Sequence, residues 1–363
     1  MTLAIFLIIA VILAGIQTAV PFLVKRTVIF GITVPEKNIK DEKLSSYKKK
    51  YALLVSLLSI VALAGYAVWV LTGSPSEEQT VLIGTIIQFA IILFSFTLYF
   101  YFHGKTLQLK KKMKWGKNAK QVQIADLSAR AKDEMLPWYV FLVPMVITVG
   151  MIGYSIAQYD LLPGLIPTHW GPNGEADAFT EKTPISAISS LLMLLVMQVM
   201  FLGIQIGTKK SGIKLSATAS NASRARQLTL RKYTSWIMFL TTILLTGMFS
   251  FFQLRTIHPD IVDGTIVMLV PIIFLVVTLV STVIFAIKVG RSDKINIDES
   301  NAGIRDYDDD ANWVGGLFYV NRNDPSIFVE KRFGVGMTIN FGNPIGYLII
   351  LVPLAIIILF SFL

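Results

Sequence analysis

The chain has 363 residues, of which 54% are hydrophobic and only 15% charged; the net charge is +10 and there is no cysteine. Soluble domains carry about 25% Asp, Glu, Lys and Arg, so a chain this poor in charge cannot solvate a globular surface. That excludes a soluble enzyme, a nucleic-acid-binding domain or a disulfide scaffold as the main reading, and without cysteine no thiolate metal site or cysteine nucleophile can form.

The apolar residues gather instead into runs long enough to cross a bilayer. In chain order these predict eight spans, at about 2–24, 51–72, 81–102, 137–157, 185–207, 234–254, 265–287 and 346–363. The first span has no basic residue before it, and Lys25 and Arg26 follow it. That order suits an uncleaved helix with its N-terminus outside.

The connections alternate in charge. Segments 25–50, 103–136, 208–233 and 288–345 hold 31 of the 33 Lys and Arg residues. Cytoplasmic loops retain Lys and Arg, so these four segments are expected inside and both termini outside. No Asp, Glu, Lys or Arg falls within a predicted span, which argues against an ion-coupled transporter, because such proteins use a costly buried charge to couple the ion. The polar residues within spans, Gln17, Gln88, Gln198, Gln205, Thr241, Thr242 and Gln253, read as interhelical hydrogen-bonding groups. Gly203 and Gly207 permit close helix packing, and Pro144, Pro271 and Pro353 lie within spans. The basic loops, with Lys48 to Lys50 and Lys110 to Lys112, fit anionic lipid headgroups. They lack the aromatic interleaving of a nucleic-acid surface, so the expected partner is the lipid bilayer and not nucleic acid.

The longest outer connection, 158–184, carries four prolines and three glycines in 27 residues, a composition that prescribes turns. Its apolar Leu161, Leu162, Leu165, Ile166 and Trp170 are costly in an open loop, so it should fold back on the bundle or lie at the interface. It also gathers Asp160, His169, Glu175, Asp177 and Glu181. Three readings stand side by side. His169 and Trp170 hold the turn by hydrogen bonds and packing. Alternatively, His169, Glu175 and Asp177 ligate a divalent cation. In the third, Trp170 and Phe179 anchor a peptide whose cationic groups meet the carboxylates. His103 and His258 sit at span ends and read as interfacial residues. The sequence offers no HExxH, GxSxG or intramembrane Asp pair for catalysis.

The run Leu162-Pro163, Ile166-Pro167-Thr168-His169-Trp170-Gly171 and Gly174-Glu175-Ala176-Asp177 resembles the LPxxIPxHWxxxGxxD signature of a bacterial membrane-protein family. Its best-understood relatives are immunity proteins against the sporulation-delaying cannibalism peptide. The resemblance covers this loop and its two flanking helices. It implies a Gram-positive plasma-membrane protein that meets an extracellular toxic peptide and holds a cognate repressor at the membrane. Asp160, Pro167, His169, Trp170, Gly171, Gly174, Glu175 and Asp177 are then the ligand-binding candidates.

The last inner segment, 288–345, opens with an acidic stretch, Asp306 to Asp310, expected to be a solvated linker. Three strands follow, Leu317–Val320, Ser326–Arg332 and Met337–Phe341, separated by turns at 321–325 and 333–336. A three-stranded meander is marginal alone, so it should pack on helix ends or on the 25–50 loop, where 30–35 is a plausible partner stretch. This segment resembles a second uncharacterised module that accompanies the first family in longer Gram-positive members. The match rests on Trp313, Tyr319, Asn321, Asp324, Lys331, Arg332 and Asn340 among others, and implies a cytoplasmic element without naming a ligand.

The expected architecture is an all-α bundle of eight transmembrane helices with a small cytoplasmic three-stranded β element. Its parts are a three-span region at 1–136, a signature membrane domain at 137–287, the β module at 288–345 and a last helix at 346–363. The expected function is a non-enzymatic immunity or receptor protein that signals inward. A metal-dependent hydrolase using the outer histidine and carboxylates, and a small-molecule or lipid transporter, are the alternatives.

Overall fold

The computed structural model describes residues 2–115, 120–122, 131–171, 176–216, 220–261, 264–292, 304–306 and 308–360. Among them, seven helices are long and apolar enough to cross a membrane, and an eighth apolar helix is shorter. They are α1 (Thr2–Leu23), α2 (Glu42–Gly73), α3 (Glu77–Lys112), α4 (Leu142–Ala157), α5 (Ser189–Lys210), α6 (Ser220–Ile257), α7 (Gly264–Gly290) and α8 (Pro344–Phe360). The protein is a multi-pass α-helical membrane protein whose lipid-facing helix surfaces carry exposed Leu, Ile, Val and Phe side chains.

Three helices run well past the expected spans. α2 begins at Glu42, where Asp41 caps it by accepting from the amides of Lys43 and Leu44. Its 32 residues rise about 48 Å, against roughly 30 Å of hydrocarbon core. α3 and α6 are longer still, at 36 and 38 residues. Hydropathy marks only the part of a helix that sits in lipid, and charged residues prolong it into water at no hydrogen-bonding cost.

The chain divides into two compact units, one of residues 1–133, 212–230 and 283–343, the other of residues 134–211, 231–282 and 344–363. In the first, α1, α2 and α3 are tied by a buried hydrogen-bond chain. Tyr51 donates to Ser95 at 2.6 Å, and Ser95 donates to Gln17 at 2.8 Å. A hairpin follows α1: β1 (Val28–Ile29) and β2 (Ile32–Thr33) pair antiparallel around Phe30 and Gly31, whose φ values of 46° and 78° suit a tight primed turn. Phe30 is buried among Tyr51, Tyr99 and Phe102. A Cβ on Gly31 would lie 2.8 Å from the Cα of Gly316, so glycine is required there for contact as well as for φ.

The β module belongs to the same unit and differs from the expected meander. β7 (Trp313–Val314) pairs with β8 (Phe318–Tyr319), and β9 (Phe328–Glu330) with β10 (Met337–Ile339). The two hairpins meet through a parallel bridge between Tyr319 and Asn340, a Phe341 amide bond to Tyr319 O and the packing of Val329 on Trp313 and Tyr319. The cause lies in Gly315 and Gly316, at φ 59° and 70°, which turn the first strand back on Trp313 rather than onward to β9. A short parallel pair, β3 (Lys120–Val122) with β6 (Ile304–Asp306), completes the strands of this unit.

In the second unit Gln198 is the hub. Its amide donates to Thr148 and Thr246, each at 2.8 Å, linking α4, α5 and α6. Gln253 donates to Ala187 O at 3.0 Å and Gln205 to Leu136 O at 2.5 Å. Gly203 admits Ile349 of α8, which a Cβ would meet at 3.1 Å. The antiparallel pair β4 (Leu165–Trp170) and β5 (Ala176–Glu181) forms a hairpin between α4 and α5.

Candidate functional site

The β4–β5 hairpin is fastened at its foot. Leu162, Ile166, Ala187 and Ile257 form a buried cluster against Tyr159. Lys182 donates to Leu162 O at 2.8 Å and lies 4.7 Å above the Tyr159 ring. Ser186 locks the exit by donating to Glu181 O at 2.7 Å. Trp170 packs on Phe252 of α6 with ring centroids 4.5 Å apart, which fixes the upper strand.

Toward the tip, the register shifts between Pro167 and His169 and again between His169 and Trp170. Such irregularity re-aims a side chain, and His169 here donates from Nδ1 to Asp177 Oδ1 at 2.5 Å. Both are open to solvent, with side chains 68% and 52% exposed. Pro167 lies opposite Phe179, which is exposed. Asp160 sits exposed in the turn Tyr159–Leu161 at the foot, and Gly171 follows β4. Gly174 and Glu175 lie outside the described residues. Of the proposed metal set the structure therefore joins His169 to Asp177; among the described residues no three His, Cys, Asp or Glu side chains converge. Beside the hairpin, Tyr154 and His258 share a hydrogen bond at 2.7 Å.

The second motif-bearing region is a polar network. Asn340, fully buried, donates to the carbonyls of Asn321, Asp324 and Ser326 at 2.9, 3.0 and 3.1 Å and accepts from the amides of Asn321 and Gly342. Tyr319 donates to Asp324 at 2.9 Å and accepts from Lys214 and Asn321 at 2.8 and 3.1 Å. Its ring lies 5.0 Å from Trp313 and 4.4 Å beneath Lys214. Burial would raise the Asp324 carboxyl, but its bonds to Lys214 and to Ser326 outweigh that and hold it below the usual carboxylate range. Burial would likewise lower the Lys214 ammonium, yet Asp324 and Tyr319 keep it raised.

Arg332 joins this module to the β1–β2 hairpin. It donates to Gly31 O and Asp310, each at 2.6 Å, to Thr33 Oγ1 at 3.1 Å, and to Asp309, and it stacks 5.0 Å above Trp313. Asp310 also accepts from the Thr33 amide and hydroxyl, and Lys110 reaches Asp308 and Asp310 at 2.6 and 2.7 Å. Burial pushes the Asp310 carboxyl up, but Arg332 and Lys110 overcome it and lower it below its ordinary value. The acidic stretch is thus not a solvated linker. Asp308, Asp309 and Asp310 are counter-ions of a helix end and a buried guanidinium, because Phe333 packs on Tyr51 and Tyr99 and brings Arg332 down with it.

Sequence reasoning passed over Arg226, which is 1% exposed. It pairs with Glu330 at 2.5 Å and caps the C-terminal carbonyls of α1 and α7, Leu23 O at 3.0 Å and Val289 O at 3.3 Å. Nothing in a basic loop distinguishes such an arginine from its neighbours. Lys331, by contrast, takes no part in the network: its side chain has no hydrogen-bond or ion-pair partner among the described residues, and desolvation lowers its ammonium below the ordinary lysine value. It borders a polar pocket of about 110 Å³ with Lys25, Thr33, Lys214, Glu330 and Arg332.

Fold and site together define a multi-pass helical membrane protein with one exposed hairpin and one internally bonded β module. A family model described as a domain of unknown function (DUF1648) matches residues 146–194, and one described as a family of unknown function (DUF5808) matches residues 322–347. The first takes in the hairpin, most of α4 and the first turns of α5, the second β9, β10 and Asn340. No curated protein and no solved structure matches the chain.

Proposed function

We propose that the chain is an immunity- or receptor-type protein of a bacterial plasma membrane, which recognises an extracellular toxic peptide or envelope-active compound through the 158–184 hairpin. The observation that carries this reading is the exposed His169–Asp177 pair beside Phe179, on a hairpin whose foot is packed and bonded. Such an arrangement offers an anion, an imidazole and an aromatic anchor on a rigid base, a combination suited to a cationic, apolar peptide. The resemblance of the Leu162 to Asp177 run to the cannibalism-toxin immunity family points the same way.

The proposed topology places both termini outside. The charge asymmetry of the loops supports it, and so does the company the basic segments keep. Segment 25–34, Lys110, segment 212–227 and segment 308–343 bond to one another within one unit, as segments on one side of a bilayer can. The β module on that side would present a surface to a cytoplasmic regulator such as a repressor.

Survival tests this. A toxin-sensitive Gram-positive host would express wild type or His169→Ala at equal membrane levels and be challenged with the cannibalism peptide and a panel of envelope-active peptides. Protection by wild type and its loss in His169→Ala is the expected result. Protection by neither would remove the immunity reading for those compounds. Equal protection by both would remove the hairpin from it.

A further inference from the structure

A groove of about 460 Å³ lies between α2 and α3, walled by Tyr47, Lys50, Leu53, Leu54, Tyr101 and Lys105, with Phe102 at its floor. Tyr47 and Phe102 set the level of the groove, their rings 5.6 Å apart. The helices run antiparallel, so Lys105 stands one turn toward water from Phe102, and Lys50 one turn toward the bilayer from Tyr47. An extended lysine that deep reaches back to the interface. Below it the wall is apolar and faces lipid: Leu53 is 65% exposed and Tyr101 57%.

The charges on this groove are of one sign. No carboxylate lines it, and among the described residues neither Lys50 nor Lys105 has an ion-pair partner. The contact Lys105 does make is with an aromatic face, its Nζ 5.6 Å from the Tyr101 ring centroid. This contrasts with Lys110, one and a half turns further along α3, whose ammonium is held by Asp308 and Asp310. An occupant with a negative head and an apolar body would neutralise both lysines and cover the exposed wall in one step.

We propose that this groove is a specific site for one anionic diacyl phospholipid. Lys50 and Lys105 hold the phosphate, Tyr47 borders the glycerol region, and Leu53, Leu54 and Tyr101 receive an acyl chain. Occupancy reaches further than the surface. The floor residue Phe102 stacks on Phe30 at 5.2 Å, and Phe30 is the turn of the hairpin whose Thr33 and Gly31 hold Arg332 and Asp310. A bound lipid therefore braces the aromatic cluster on which the β module rests.

Native mass spectrometry of the full-length protein in detergent, titrated with phosphatidylglycerol or phosphatidylcholine of matched chains, tests this. Wild type should retain one phosphatidylglycerol selectively. With a membrane-surface cation contributing about fivefold each, Lys50→Gln/Lys105→Gln should bind it about twenty-five-fold more weakly, with phosphatidylcholine unchanged. Leu54→Trp, which fills the groove without altering charge, should also lose the lipid. Lys111→Gln/Lys112→Gln removes the same charge elsewhere on α3 and should leave binding intact. Equal loss in that control pair, or equal retention of both lipids by wild type, would overturn the site in favour of diffuse attraction. So would undiminished binding to Leu54→Trp.

Discussion

In the module of residues 308–343, Arg332 and Asn340 are 6% and 0% exposed, and their hydrogen bonds end on groups of the same unit. In the 158–184 hairpin, His169 and Asp177 are bonded to each other at 2.5 Å while more than half of each side chain remains in water. Both regions bond polar groups internally, yet only the module buries them. A buried group that loses its partner carries its full desolvation cost, so residues of the module are constrained by folding. An exposed pair on an anchored hairpin carries little of that burden, and its residue types answer to whatever touches it.

The largest expected effect that would sharpen the contrast is Arg332→Met. It removes the buried guanidinium that pairs Asp309 and Asp310, leaving Asp310 to Lys110 and Thr33, and should destabilise the first unit by about 3 kcal/mol, the lower end of the range for breaking a buried pair. Limited proteolysis would then cut within 308–343, and a protein as resistant as wild type would break the comparison. Asn340→Ala removes the amide that joins the two hairpins and should cost about 2–3 kcal/mol, visible in the thermal midpoint of the purified protein.

Acid gives a third, smaller signal. The folded Asp310 carboxyl lies below its ordinary value because Arg332 and Lys110 outweigh burial. Its contribution is therefore complete above its unfolded pKa of about 3.9 and disappears as pH falls through the lower folded value. Thermal midpoints should be level from neutral pH down to about 5 and fall below about 4, and the fall should be shallower in Asp310→Asn. The smallest stability effect belongs to the hairpin. His169→Ala should change stability by no more than about 0.5 kcal/mol, while abolishing protection in the survival assay. A large drop in thermal midpoint instead would place His169 among the structural residues and dissolve the distinction.

Much of the membrane architecture was legible in residue order. Eight apolar runs became eight apolar helices, and Gln198 and Gln253 proved to be the interhelical donors that uncharged spans require. The Trp170 contact with Phe252 could not be read, because the loop's composition prescribes turns but not which helix receives an indole. Nor could the strand pairing of the module: three strands stood near their expected places, but paired glycines at positive φ sent the first one back on Trp313.

By itself, then, the sequence determined what depends on local periodicity and composition: the helices, the lack of charge within spans, and the turn-rich outer loop with its histidine and carboxylates, but not the pairing of β4 with β5 within that loop. Only tertiary structure decided that Asp308 to Asp310 are counter-ions rather than a solvated run, and that Arg226 is a buried cap. The reason is physical. A charge in a loop looks the same in sequence whether it meets water or a partner some 200 residues away, as Lys110 meets Asp310. Its free energy differs greatly between the two cases because burial removes the water that would otherwise solvate it.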